Sequence, residues 1–131
     1  MKALLKTAVA LAASLMLAAP AVAQDYSVEG VWTLKDKSSD YRATLCGKNG
    51  DRLCFELIAL RKGADKPKNR KYLNTRIINE ARPAGPNRWK GSISLYGQSA
   101  NGTLVMLGDT MKVNACAYVV ICDEFNLYRV K

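Results

Sequence analysis

One stretch decides the fold of this chain: Val28-Glu29-Gly30-Val31-Trp32-Thr33-Leu34-Lys35. Every second residue, beginning with Val28, is apolar or glycine, and most of the residues between them are polar. This period of two is typical of a strand with one buried face. The stretch therefore predicts the first strand of the folded domain. The chain closes on a comparable run, 123–130, and we expect the first and last strands to meet.

The rest of the chain repeats this pattern in short runs separated by turn residues. Strands are predicted at 28–35, 41–46, 53–60, 72–81, 89–95, 103–107, 111–115 and 123–130. Asn49-Gly50, 97–102 and Gly108-Asp109 are predicted turns between them. About eight short strands at close spacing predict an all-β fold, either a sandwich or a small antiparallel barrel.

One long insertion interrupts the strand pattern, at about 63–74. It is either a loop or a short helix, with Asp65 as its N-cap and Pro67 near its start.

An export signal is predicted over residues 1–23. A basic start at Lys2 and Lys6 precedes an apolar run, and Ala21-Val22-Ala23 follows as a small-x-small cleavage pattern. A membrane anchor is the alternative, but a spanning helix needs roughly 20 apolar residues and this run is shorter. We therefore expect cleavage after Ala23, a single β-barrel domain over 24–131 that does not span the membrane, and a periplasmic or secreted bacterial protein.

The positive charge is concentrated in one part of the chain, residues 61–90, which we call the basic segment. It holds ten basic residues against Asp65 and Glu80, whereas the whole of 24–131 carries 18 basic and 11 acidic residues. Outside the cytosol nucleic acid is excluded as the expected partner, and an anionic envelope component or an acidic protein face is favoured. The residues proposed to face such a partner are Lys66, Lys68, Arg70 and Lys71. The alternative is a solvated loop that aids solubility.

Four cysteines, Cys46, Cys54, Cys116 and Cys122, predict two disulfides in an exported chain of this size. A zinc site is disfavoured because the chain has no histidine and the spacings are longer than those of structural zinc sites. Three connectivities are possible. Local pairing is favoured, because the Asn49-Gly50 turn folds the first pair into a hairpin.

Gly30-x-Trp32 on the first strand and Arg129 on the last resemble the pair that marks calycin barrels, the lipocalin-like superfamily. In that superfamily the tryptophan closes one end of the barrel and the arginine of the final strand covers it. The resemblance implies a small antiparallel calycin-like barrel of about eight strands, in which Gly30 leaves room beside the ring and Arg129 lies over Trp32. A guanidinium over an indole gains about 1 kcal/mol.

More of the chain resembles an exported bacterial family, domain-of-unknown-function family 2147. The matching pieces span most of 24–131 in order: 30–32, 46–47, 53–54, 89–93, Tyr96, Gly102, 111–116, Cys122 and 128–129. The central pattern of the family survives only as Asn69, Leu73 and Arg76, and its Asp-Pro is replaced by Gly97-Gln98. The family carries no activity that could be transferred.

Catalytic chemistry finds little support in this sequence. The absence of histidine excludes a nucleophile–histidine pair, and paired cysteines cannot act as nucleophiles. Asp123 and Glu124 are adjacent, so on a strand they point to opposite faces. Glu56 lies in an apolar run and is either buried, with a raised pKa, or directed to solvent at an edge. No enzyme activity, metal or cofactor is predicted.

Two functions follow as hypotheses. The first is a non-catalytic binding module that uses the basic segment to contact its partner. The second is a small periplasmic inhibitor or a lipocalin-like carrier of a small apolar ligand. Large residues are expected to fill most of the barrel, which argues against a large cavity: Trp32, Phe55, Leu57, Trp89, Ile93 and Met111.

Overall fold

The protein is an eight-stranded antiparallel barrel in a computed structural model that describes residues 27–117 and 121–131. Each strand pairs with its neighbours in sequence, and β8 returns to pair with β1. The strands are β1 (Gly30–Leu34), β2 (Ser39–Cys46), β3 (Arg52–Leu60), β4 (Arg76–Pro83), β5 (Arg88–Leu95), β6 (Gln98–Leu107), β7 (Thr110–Ala117) and β8 (Ile121–Arg129). The predicted all-β, calycin-like barrel is therefore confirmed, whereas the signal-peptide prediction lies outside the described residues.

The insertion between β3 and β4 contains a 3₁₀ turn (Lys62–Ala64) and α1 (Pro67–Arg70), a single helical turn that begins at proline. Of the two predicted alternatives, a loop and a short helix, the structure has the short helix. The predicted Asp65 cap is wrong. Lys66 occupies the N-cap position without a side-chain hydrogen bond, and the Asp65 carboxylate instead accepts a hydrogen bond from Arg70 Nε at 2.7 Å. The strand predicted at 72–81 begins only at Arg76, because the turn continues through 71–74.

The turn predicted at 97–102 is also wrong in extent. Leu95 and Gln98 face each other across a two-residue turn, Tyr96-Gly97, and β6 runs on through Gly102. Both turn residues have positive φ, 53° and 77°, as a tight hairpin requires. Glycine at position 102 therefore serves packing rather than a turn: a Cβ there would fall on Cδ1 of Ile93.

A bulge in β4 bends the sheet. Relative to both neighbouring strands β4 carries one extra residue between Ile78 and Ala81, and Glu80 there has φ of 55°. The bulge brings the backbone of Ala81 against Gly91 of β5, where a Cβ would lie 2.9 Å from the Ala81 Cα.

The core fills the interior of the barrel, and all six residues predicted to fill it are buried. The interior void that remains is about 30 Å³ and is lined by Tyr41, Phe55 and other core side chains. That volume is near the share of one water molecule, so no small organic ligand fits inside.

Candidate functional site

One end of the barrel is closed by Trp32 and Arg129. The Trp32 ring is fully buried and its Nε1 donates to the Val28 carbonyl at 2.9 Å. The Arg129 guanidinium lies 4.4 Å from the ring centroid and donates from Nη2 to the Ser27 carbonyl at 2.7 Å. Gly30 has φ of 139°, and a Cβ there would lie 3.3 Å from Arg129 Nη1. The room that this glycine leaves is therefore taken by the guanidinium.

Both disulfides are local, and the two-disulfide prediction is confirmed. Cys46 is bonded to Cys54 across the β2–β3 hairpin, and Cys116 to Cys122 across the β7–β8 hairpin. Cys116 and Cys122 are directly opposite in register. The second disulfide therefore holds the end of β7 and the start of β8 together.

The opposite end of the barrel is an open cup, which we call the mouth. It encloses about 680 Å³ and is lined by Ile93, Leu95, Tyr96, Gln98, Ser99, Ala100, Ala115, Ala117, Ile121, Asp123 and Phe125. Three alanines keep it wide, where larger side chains would have filled it. Ile121 and Phe125 on its wall are 60% and 38% exposed. Apolar side chains left open in a concave surface indicate a binding site for an apolar group.

The insertion borders the mouth through a chain of aromatic contacts. The Tyr72 ring packs edge-on against Tyr96, with centroids 5.7 Å apart, and Lys71 Nζ lies 5.2 Å from the Tyr72 centroid. Partial burial raises the pKa of the Tyr96 phenol. The insertion is ordered from within, because the buried side chain of Asn69 donates to the Ala64 carbonyl at 2.9 Å. A basic rim therefore adjoins an apolar cup.

Part of the basic segment is used inside the molecule. Arg61 donates to both carboxylate oxygens of Asp40, at 2.9 and 2.6 Å, and this pairing lowers the pKa of that carboxyl. Arg70 is paired with Asp65. Of the four residues predicted to face a partner, Lys66, Lys68 and Lys71 have no ion pair within the described residues and are exposed. We call these three lysines the lysine rim, and Lys71 is linked to the mouth by its contact with Tyr72.

Other basic residues of the segment lie elsewhere. Arg82 and Lys90 face each other on β4 and β5 and line, with Arg52, a polar groove of about 720 Å³ on the outside of the barrel. The insertion precedes the start of β4, whereas Arg82 lies near its end, roughly 20 Å along the strand. The ten basic residues of the segment therefore do not form one surface. Nothing in the sequence indicates the groove, because the alignment of five successive strands, β3 to β7, brings its lining residues together.

Glu56 lies on the outer side of β3, between buried Phe55 and Leu57, and is half-buried. Its partners in register are Arg42 and Arg76 on the neighbouring strands. In residues 27–117 and 121–131 no cluster of three or more acidic, cysteine or histidine side chains is placed to hold a metal ion. No helix in these ranges is long and apolar enough to cross a membrane.

Comparison of the chain with protein-family models, with curated proteins and with solved structures found no match. The resemblance to domain-of-unknown-function family 2147 stays a prediction.

Proposed function

We propose that this protein is an exported, non-catalytic binding module for an anionic amphiphile of the cell envelope. The observation that carries the proposal is the continuity of the apolar mouth with the lysine rim, through Tyr96, Tyr72 and Lys71. An acyl chain would lie against the exposed wall of the cup, and its anionic head group would meet the lysines. The proposal combines two of the functions considered from the sequence, a basic binding surface and a carrier of an apolar ligand. The carrier function is included because the mouth is an apolar cup.

The interior of the barrel limits what the ligand can be. The mouth is a shallow cup above a filled core, and the void beneath it is only about 30 Å³. A long ligand would therefore remain partly exposed, as a lipid does when its far end stays in a membrane or in a partner protein. This geometry favours contact with an anionic lipid surface over full enclosure of a free ligand.

The two disulfides fit an oxidising compartment outside the cytosol. Together with the predicted signal at 1–23, they support a periplasmic or secreted location. We expect the protein recovered from its host to begin at Gln24. Its intact mass should rise by about 4 Da on reduction, since two bonds each take up two hydrogens. A mass that retains 1–23, or does not change on reduction, would contradict this location.

We expect Ile121→Ser to weaken binding of a C16 fatty acid by about tenfold, since it removes apolar surface from the wall of the mouth. Leu107→Ser is the matched control. Leu107 is 59% exposed, close to the 60% of Ile121, but it lies at the end of β6 that is farther from the mouth. Isothermal titration calorimetry on the oxidised protein measures both. Equal weakening in the two variants would refute the mouth as the site.

The rim is tested with the fourfold Gln variant of Lys66, Lys68, Arg70 and Lys71. It should lose affinity for the fatty acid and keep its affinity for the corresponding C16 alcohol, because only the acid carries a charge. Its control is the fourfold Gln variant of four other exposed residues, Lys48, Arg82, Arg88 and Lys90. The two variants lose the same number of positive charges. The loss should shrink as salt rises, since exposed charges are screened over about 8 Å at physiological ionic strength. If the control variant loses as much affinity for the fatty acid, the net charge of the protein and not the lysine rim determines binding.

A further inference from the structure

The closure between β1 and β8 is short. Their ladder has three residue pairs, from Trp32 with Arg129 to Leu34 with Leu127. β8, however, begins six residues before Leu127, at Ile121. Within the described residues no strand therefore pairs with 121–126 on the β1 side.

The direction of the backbone groups on this free edge follows from the hydrogen bonds beside it. The N–H of Val130 donates to the Val31 carbonyl on the β1 side, whereas the N–H of Arg129 donates to the Asp109 carbonyl on the β7 side. Directions alternate along a strand, so the N–H and C=O groups of even-numbered residues face the β1 side. Asn126 lies next to the Leu34–Leu127 pair and is used by the β1 ladder. Cys122 and Glu124 thus present two donor–acceptor pairs to the free edge.

This edge has the space and the regularity that strand addition needs. A groove of about 730 Å³ lies beside it, lined by Leu34, Lys35, Asp36, Phe125, Asn126 and Tyr128. The register of β8 with β7 runs without a bulge from Tyr128 to Ile121. The Cys116–Cys122 disulfide holds the start of β8 against the end of β7. Residues 121–126 contain neither lysine nor proline, two residues that commonly block an edge, and Asp123 is the charged residue of this stretch on the mouth side.

We propose that the β8 edge, residues 121–126, binds an extended segment of a partner protein by strand addition. Side chains of the added strand would alternate between the mouth side and the outside. Those on the mouth side meet the exposed Phe125 and the half-buried Leu34 and are apolar. Those on the outside lie beside Glu124 and include a Lys or Arg. In the described part of the chain Glu124 has one ion-pair partner, Lys112, at 3.4 Å. This surface is separate from the lysine rim.

A second copy of this chain is a poorer occupant. Antiparallel pairing of two such edges about a twofold axis at Glu124 or Asp123 places like charges directly opposite each other, which is destabilising. An axis at Phe125 avoids this but brings the partner strand onto Tyr128, which already pairs with Thr33 of β1. Only 124–126 could then pair. A partner with basic residues has neither difficulty.

The probe is the peptide acetyl-Lys-Val-Lys-Val-Lys-Val-amide, titrated into the oxidised protein by NMR. In the proposed arrangement the lysine amides face β8 and the valine amides face away. We expect binding that slows amide exchange at Cys122 and Glu124. Methylation of the three lysine nitrogens should weaken binding at least tenfold, whereas methylation of the valine nitrogens should leave it within about threefold.

The matched protein variants are Glu124→Pro and Glu124→Ala. Both remove the carboxylate, but only proline removes the N–H that faces the free edge, and the ladder to β7 keeps its hydrogen bonds. Glu124→Pro should bind the peptide at least tenfold more weakly than Glu124→Ala. If Glu124→Pro does not fold, the affinities of the two methylated peptides for the wild-type protein still test the proposal. No peptide binding, equal binding of the two methylated peptides, or a wild-type dimer that Glu124→Pro dissociates would overturn the proposal.

Discussion

Trp32→Ala is expected to lower the free energy of unfolding by about 3–5 kcal/mol. The ring is fully buried at the closed end and its Nε1–H is bonded to the Val28 carbonyl. Its removal leaves a cavity beneath Arg129 and frees that carbonyl. Small domains are stable by only about 5–15 kcal/mol, so a large share of the stability is lost. Guanidinium chloride unfolding with the disulfides intact measures the change.

The contact of Trp32 with Arg129 is tested by a double-mutant cycle. Arg129→Ala should cost less than Trp32→Ala, since it removes hydrogen bonds to two carbonyls and the stacking on the ring but little core volume. The double variant should be less destabilised than the sum of the two by about 1 kcal/mol. Trp89→Ala, at another buried tryptophan, combined with Arg129→Ala is the additive control. Additivity in the Trp32 cycle as well would refute the contact.

Gly91→Ala is the second large effect, at about 1–3 kcal/mol. The new methyl group would meet the Cα of Ala81 at 2.9 Å, and a backbone held by the β4 bulge cannot move aside without disturbing two ladders. Thermal unfolding followed by circular dichroism measures the loss.

Gly102→Ala supplies the comparison for Gly91→Ala. Its methyl group would overlap Cδ1 and Cγ1 of the Ile93 side chain, whereas the nearest backbone atom, the Asn114 oxygen, is at an ordinary contact distance of 3.6 Å. Adding Ile93→Val, which removes Cδ1, should therefore recover part of the loss at 102 and none of the loss at 91. Recovery at both positions would mean that side-chain crowding, and not the backbone of Ala81, makes Gly91 intolerant.

The strands were predictable because alternation survives wherever one face is buried. The stretch at 28–35 and the run at 89–95 both have buried residues at the expected positions, Trp32 and Ile93 among them. Errors arose where a residue type has two uses. Gly97 makes a turn, as expected, but Gly102 sits within a strand because Ile93 occupies the space over it. Asp65 precedes a proline like an N-cap residue, yet the carboxylate is better placed for Arg70.

The candidate site was less predictable than the fold. The concentration of charge in 61–90 was visible, but sequence proximity does not give spatial proximity on a barrel, and Arg61 and Arg82 lie in unrelated surroundings. The mouth could not be foreseen from 98–117, because small residues such as Ala100 and Ala115 line a cup only once three strands are aligned. The free edge depends on where β1 stops relative to β8, and this is a property of the register alone.

The order of the strands has a consequence for how an exported chain would fold. Seven of the eight strand pairings join neighbours in sequence, and both disulfides lie within such hairpins, so each can form before the rest of the chain is available. The remaining pairing joins residues about 100 apart and must wait for Arg129. Until then β1 and β8 are two open edges, exposed to proteases and to aggregation. The short closure at Trp32 is thus the last pairing to form, and it covers β1 and the end of β8 while leaving the start of β8 open.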